Sequence, residues 1–97
     1  MNGTFDVTLL TPIGPQRGVL MLSDENGTLH GSIHAMGYTN YLRNGSANGN
    51  SFELSGTLNA SIFNIRYSAK GTIDGDTLNA KVTTDSGIFE LSGTRKA

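Results

Sequence analysis

The chain contains 97 residues, carries a formal net charge of −1 and includes thirteen glycines but no cysteine. This length suits one small domain, residues 1–97, and the scattered basic residues argue against a nucleic-acid partner. The lack of cysteine excludes disulfides, thiolate metal sites and cysteine nucleophiles, and the lack of a signal sequence or long apolar run predicts a soluble cytoplasmic protein without a membrane partner.

Apolar and polar side chains alternate along most of the chain. In the first predicted strand, Phe5, Val7 and Leu9 alternate with Asp6 and Thr8, as in a strand that is buried on one side. Short segments rich in glycine, proline, Asn or Asp separate such runs, and no stretch has helical spacing. The eight predicted strands are, in chain order, Thr4–Leu10, Arg17–Ser23, Thr28–Ala35, Thr39–Gly45, Ser51–Leu58, Phe63–Gly71, Thr77–Thr83 and Ile88–Arg95.

One turn signature recurs along this series of strands. It is Asn2-Gly3, then Asn26-Gly27, Asn48-Gly49 and Asp74-Gly75, and its glycines are 24, 22 and 26 residues apart. Such regularity indicates four hairpin-like repeats. The first copy has no strand before it and the last strand has no turn after it, so the two ends complement each other. Pairing them leaves no open edge, and the sequence therefore predicts an all-β, closed eight-stranded up-and-down antiparallel barrel.

Superposing the repeats on their turns predicts which side chains face inward. The strands after the turns contribute a first layer of Phe5, Leu29, Phe52 and Leu78. The strands before the turns contribute Val19, Tyr41, Tyr67 and Phe89, followed by Met21, Arg43, Ala69 and Leu91. Arg43 is then a charge among apolar positions, and an unpaired guanidinium inside a barrel would be costly. It either meets an acidic partner or lies at the barrel mouth and reaches water.

These inward positions suggest a ligand site. An eight-stranded barrel is just wide enough to fill itself with side chains or to hold one small ligand, and the small residues Gly31, Gly56, Ala69 and Ala80 leave either outcome open. The first hypothesis is non-catalytic binding of a small hydrophobic molecule, acidic if its carboxylate meets Arg43. The predicted ligand-binding residues are Arg43, Tyr41, Tyr67 and Phe89.

Two alternatives remain. One is a structural or oligomerisation module with a packed barrel. The other is an enzyme in which Tyr41 or Tyr67 donates a proton and Arg43 stabilises charge. No nucleophile with an adjacent base can be assembled from the sequence, which favours a non-catalytic role without a cofactor. His30 and His34 are four residues apart on one strand, about 13 Å, and cannot share a metal ion.

Four leucines are predicted to point away from the core, on the first, second and fourth strands. They are Leu10, Leu20, Leu22 and Leu42. Neighbouring strands would bring several of them together, and a contiguous exposed apolar patch indicates an interface. The sequence therefore predicts a homodimer through these leucines.

Several stretches also carry a family resemblance: Gly3-Thr4-Phe5, Thr11-Pro12-Ile13-Gly14, Asn26-Gly27-Thr28-Leu29-His30-Gly31, Ala35-Met36-Gly37, Gly71-Thr72-Ile73-Asp74-Gly75-Asp76-Thr77-Leu78 and Leu91-Ser92-Gly93-Thr94-Arg95. They resemble small bacterial lipocalin-like (calycin-type) β-barrel domains over nearly the whole chain. The chain departs from that pattern at residues 59–63, and Phe5 stands where such barrels often carry tryptophan. The resemblance implies a barrel that binds small apolar molecules, although these motifs specify turns rather than a ligand.

Overall fold

A computed structural model describes residues 2–60 and 63–96, and the side chains of all of these except Ala60 and Phe63. Every regular element is a β-strand, in agreement with the alternating pattern, and most strands extend one to three residues beyond the predicted limits. The strands are β1 (Gly3–Thr11), β2 (Gly14–Glu25), β3 (Thr28–Ala35), β4 (Tyr38–Asn48), β5 (Ser51–Ala60), β6 (Phe63–Asp74), β7 (Thr77–Thr84) and β8 (Gly87–Arg95).

The strands form a closed barrel in which each pairs antiparallel with its neighbours in sequence order. The barrel closes between β1 and β8, where Val7 lies opposite Gly93 and Leu9 opposite Leu91. A further backbone hydrogen bond runs from the Lys96 amide to the Thr4 carbonyl over 2.8 Å. The prediction of a closed eight-stranded up-and-down barrel is confirmed.

The Asx-Gly turns are of two kinds, and the difference shifts the register by one residue. Asn26 and Gly27 are themselves the two central turn residues, both with positive φ of 55° and 87°. In the third and fourth turns the central pair is instead Gly49-Asn50 and Gly75-Asp76, so the Asn or Asp before the glycine ends a strand. Because side chains alternate with a period of two, one residue of offset moves a whole strand's inward set to the other face.

This offset corrects the prediction for β2. Leu20 pairs with the inward Phe5, and Leu20 and Leu22 are buried, whereas Met21 is 52% exposed. The run Val19–Leu22 is apolar on both faces, so its composition does not indicate which face is buried. The predicted inward positions Val19 and Met21 therefore lie on the outer wall.

A β-bulge corrects the prediction for β4. Gly31 pairs with Leu42 but Leu29 pairs with Gly45, so β4 carries one extra residue here, and Asn44 has a positive φ of 60°. A bulge of this kind reverses the alternation on either side of it. Leu42 is buried as a result, and Tyr41 and Arg43 point outward.

The seam between β4 and β5 is the shortest in the barrel. Just three residue pairs align there, from Ser46 opposite Glu53 to Asn48 opposite Ser51. Beyond the bulge the side chain of Asn40 bridges the strands: its Oδ1 accepts from the Asn59 amide over 2.9 Å and its Nδ2 donates to the Asn59 carbonyl over 3.1 Å. A side-chain amide thus replaces a backbone pair and keeps the barrel closed.

Candidate functional site: the open end of the barrel

The two ends of the barrel differ in sequence and in packing. We call the end with the turns at 26–27, 49–50 and 75–76 the closed end, and the end with the turns at 12–13, 36–37 and 85–86 the open end. The barrel measures 34 Å by 24 Å by 23 Å. Strands of eight to twelve residues place the two ends roughly 25 to 30 Å apart.

The closed end is packed without space for a ligand. Phe5, Leu29 and Leu78 are fully buried there, and Phe52 is nearly so, as their predicted common layer requires. Glycines allow the wall to curve tightly: a Cβ on Gly71 would meet the Asn79 carbonyl oxygen, and one on Gly93 would lie 2.8 Å from the Asp6 carbonyl oxygen. Ala69 and Ala80 are also buried. The space that such small inward residues could have left for a ligand is therefore filled at this end.

The inner wall is less tightly covered toward the open end. Residues that face inward there pack against the core yet stay partly exposed: Leu9, Ile33, Leu58, Tyr67 and Leu91. Phe89, which pairs with the buried Val82, is also half-buried in this region. These side chains form the apolar lining of the open half.

Tyr67 supplies a polar group to this lining. Desolvation by burial raises the pKa of its hydroxyl above the usual value near 10, so the phenol stays neutral at physiological pH. A Cβ on the facing Gly56 would lie 3.6 Å from that hydroxyl, so the glycine leaves the side of the ring free. Gln16, opposite Leu9, is a second neutral polar residue that faces inward.

The predicted ligand-binding residues divide into two pairs. Tyr67 and Phe89 face inward in the open half, as expected. Tyr41 is 72% exposed and Arg43 is exposed as well, both on the outer wall, so the prediction that they face inward is wrong. The barrel wall separates the two pairs, and no shared interior site can be built from all four.

The predicted leucine patch is also wrong. Leu20, Leu22 and Leu42 are buried members of the core, because the turn offset in β2 and the bulge in β4 turn them inward. Leu10 alone of the four is exposed. The contiguous leucine patch on which the expected homodimer rested is therefore not present on the surface.

The charged side chain that faces inward is Arg95, at the closed end, and not Arg43. It follows Phe89, Leu91 and Gly93 at the same spacing of two residues. The alternation along the last strand therefore predicts that Arg95 faces inward. Its guanidinium carbon lies 4.7 Å from the centre of the Phe5 ring.

Arg95 is held there by polar contacts that cap the closed end. Nη1 donates to the Asn2 carbonyl over 2.6 Å, Nη2 lies 3.4 Å from the Gly75 carbonyl, and Nε is 3.3 Å from Asp76 Oδ1. A Cβ at position 3 would collide with Nη1, so Gly3 makes room for this cap. The guanidinium is occupied in closing the barrel and is far from the open end.

The turns of the open end carry exposed apolar side chains. Ile13 is 87% exposed, Met36 63% and Ile88 66%. Tyr38 and Ile65 are exposed as well, at positions that the strand pairing places on the inner face at the mouth of the barrel. Met36 also has a positive φ of 53°, which is uncommon for a residue other than glycine, Asn or Asp. We call Ile13, Met36, Tyr38, Ile65 and Ile88 the apolar rim.

Two shallow depressions lie on the outer wall, lined mainly by surface polar residues. One of about 350 Å³ lies against Lys70, Lys81 and Glu90, and one of about 530 Å³ lies against Asp6, Arg17 and Thr94. Among the residues that the structure describes, no group of three His, Cys, Asp or Glu side chains could hold a metal ion. His34 Nδ1 instead lies 2.8 Å from Thr39 Oγ1.

Within residues 2–60 and 63–96, no helix is long and apolar enough to cross a membrane. Comparison of the chain with known protein families, with curated proteins and with solved structures finds no match. The barrel agrees with a lipocalin-like barrel in its general shape.

Proposed function

We propose that this protein is a non-catalytic, lipocalin-like binding barrel that takes a small hydrophobic molecule into its open half. The observation that carries the proposal is the partial exposure of inward-facing apolar side chains there, against full burial at the closed end. Ligand sites are typically concave, mostly apolar and supplied with few polar groups. Leu9, Ile33, Leu58, Leu91 and Phe89 would provide the apolar contacts.

The ligand is expected to be neutral. The polar side chains at inward positions of the open half, among them Gln16, Asn40, Tyr67 and Thr84, are uncharged, and Arg43 lies outside the barrel. A carboxylate buried beside them would lose its hydration without a cation to replace it. The acidic ligand expected from Arg43 is therefore less well supported than a neutral one, which Tyr67 can recognise by donating a hydrogen bond.

A fluorescent probe tests this proposal. N-phenyl-1-naphthylamine is neutral and brightens on entering an apolar site. Wild type should bind it with saturation, and dodecanol should displace it better than dodecanoate. Leu58→Trp should weaken binding about tenfold or more, because the larger ring fills the lining. Tyr41→Trp is the matched control on the outer wall and should bind as wild type does.

The polar contact has its own test. Tyr67→Phe should weaken binding of dodecanol about three- to tenfold, the usual worth of one hydrogen bond, and leave dodecane binding unchanged. Arg43→Ala should change neither. Equal losses from Leu58→Trp and Tyr41→Trp, or a strong loss of dodecanoate binding in Arg43→Ala, would contradict the proposed site.

A second candidate is a structural module with a packed barrel. The observation in its favour is that the closed half is filled and that the depressions of about 350 and 530 Å³ lie on the outer wall. It predicts no saturable probe binding by any variant. The enzyme alternative keeps Tyr67 in the interior but loses Arg43 as the group that stabilises charge, since Tyr41 and Arg43 lie on the outer wall.

A further inference from the structure

We propose that the open end docks on the surface of an anionic lipid bilayer, with the apolar rim entering the interfacial layer. The starting observation is where the exposed large apolar side chains lie. Ile13, Met36 and Ile88 sit on or beside three separate turns of one end, with Tyr38 and Ile65 close behind. The closed-end turns, by contrast, consist of Asn, Asp and Gly. Of the eight exposed large apolar side chains among the described residues, five belong to the rim.

The geometry of the rim suits a planar surface. Ile13, Met36 and Ile88 belong to or adjoin three turns that are far apart in sequence but lie at the same end of the barrel, so one surface can meet all three. Isoleucine and methionine favour the acyl boundary, and tyrosine is enriched at the level of the headgroups. No membrane partner is expected from the sequence, because no apolar run is long enough to span a bilayer. Docking by side chains from separate turns requires no such run.

Charge favours the same orientation. The closed-end turns and their flanks carry four acidic residues, Asp24, Glu25, Asp74 and Asp76, against the basic Arg95 and Lys96. Near the open end, Arg17 and Arg66 are exposed three residues into β2 and β6, against Asp85 in the turn at 85–86. The open end is therefore the more basic of the two, so an anionic surface attracts it more than the closed end, and each arginine near such a surface contributes a modest attraction that salt screens.

A second copy of the chain fits this end less well. The barrel is at most 24 Å across, so its end covers a disc of about 450 Å². A stable interface buries about 800 Å² on each partner, and the opening at the centre of the disc would bury nothing. Docking on a bilayer does not require a complementary protein surface of that area, because each side chain enters the lipid independently.

Vesicle flotation tests the proposal without any ligand, so its outcome is separate from that of the probe experiment. The vesicles contain phosphatidylcholine alone or with 30% phosphatidylserine, at about 0.1 M salt. Wild type should float with the phosphatidylserine vesicles and be released as salt rises. Ile13→Ser/Met36→Asn/Ile88→Ser should lose about tenfold or more in partitioning. Asn is chosen at position 36 because it tolerates positive φ.

The matched control is Met21→Ser/Tyr41→Ser, which removes two exposed apolar side chains from the outer wall and should float as wild type does. Arg17→Gln/Arg66→Gln should lose about fivefold per arginine with phosphatidylserine and nothing with phosphatidylcholine. Circular dichroism checks that each variant is folded. If the triple variant does not fold, Ile88→Ser alone should show a partial loss of vesicle binding.

Three results would overturn the proposal: wild type that does not float, a rim variant that floats like wild type, or an outer-wall control that loses as much as the rim variant. A wild-type dimer by light scattering that becomes monomeric in the rim variant, without vesicle binding by either, would assign the rim to a second copy of the chain instead.

Discussion

The two ends of this barrel are built from the same hairpins yet differ in almost every physical property. At the closed end, Phe5, Leu29 and Leu78 are fully buried, the turns are polar and Arg95 covers the opening. At the open end, the inward side chains stay partly exposed and Ile13 and Ile88 face solvent. The closed end therefore contributes the tightly packed core, and the open end keeps apolar surface exposed after folding.

The largest expected effect comes from making the same substitution at each end. Leu29→Ala should lower the free energy of unfolding by about 3 kcal/mol, because it leaves a cavity in the packed layer. Leu58→Ala should cost about 1 kcal/mol, since that leucine stays partly exposed in the folded state. Urea unfolding of both variants measures the difference. Similar costs at the two positions would mean that the ends are packed alike.

A smaller effect is expected from the cap. Arg95→Ala should cost about 1 to 2 kcal/mol, because it removes the contact with Phe5 and the hydrogen bond to the Asn2 carbonyl. Lys96→Ala is the neighbouring control: its ion pair with Asp6 spans 3.9 Å at the surface and should contribute less than about 0.5 kcal/mol.

Arg95→Lys separates the parts of this effect. It keeps the charge but not the planar fork, so it should recover at most half of the loss. Full recovery by lysine would show that charge alone matters and that the cap is not a specific contact. Thermal unfolding at two salt concentrations provides the measurement.

The smallest effect appears at high pH. Burial raises the pKa of Tyr67, so the folded state keeps its proton where the unfolded state loses it. Its contribution to stability is therefore constant below pH about 10 and declines as pH rises from there toward the folded pKa. Tyr67→Phe should unfold less readily than wild type above that pH, after correction for any difference at pH 8. Tyr41→Phe, on the outer wall, should follow wild type throughout, and an identical decline in all three proteins would contradict a desolvated Tyr67.

The sequence was informative about pairing and less so about which face is buried. Alternation and four Asx-Gly turns predicted eight strands and barrel closure, both of which the structure has. Leu20 and Leu22 were assigned to the wrong face because Asn26-Gly27 forms a turn one residue out of step with Gly49-Asn50 and Gly75-Asp76. An Asn-Gly pair fits either turn, so the sequence alone does not distinguish them.

The candidate site was affected by a second local feature. The bulge at Asn44 reverses the alternation of β4, so Tyr41 and Arg43 moved from the predicted lining to the outer wall. Asn tolerates the positive φ that a bulge requires, but it also occurs in ordinary strands and turns. Tyr67 and Phe89 were placed correctly because no turn offset or bulge intervenes between them and the turns used for the register.

Methyl NMR during a titration with N-phenyl-1-naphthylamine tests the central claim most directly. The account predicts that methyl signals of Leu9, Ile33, Leu58 and Leu91 shift progressively, while those of Leu29 and Leu78 at the closed end do not move. It would be contradicted if the signals that shift belong to the closed end or to Leu10 and Met21 on the outer wall, or if no methyl signal responds to the probe.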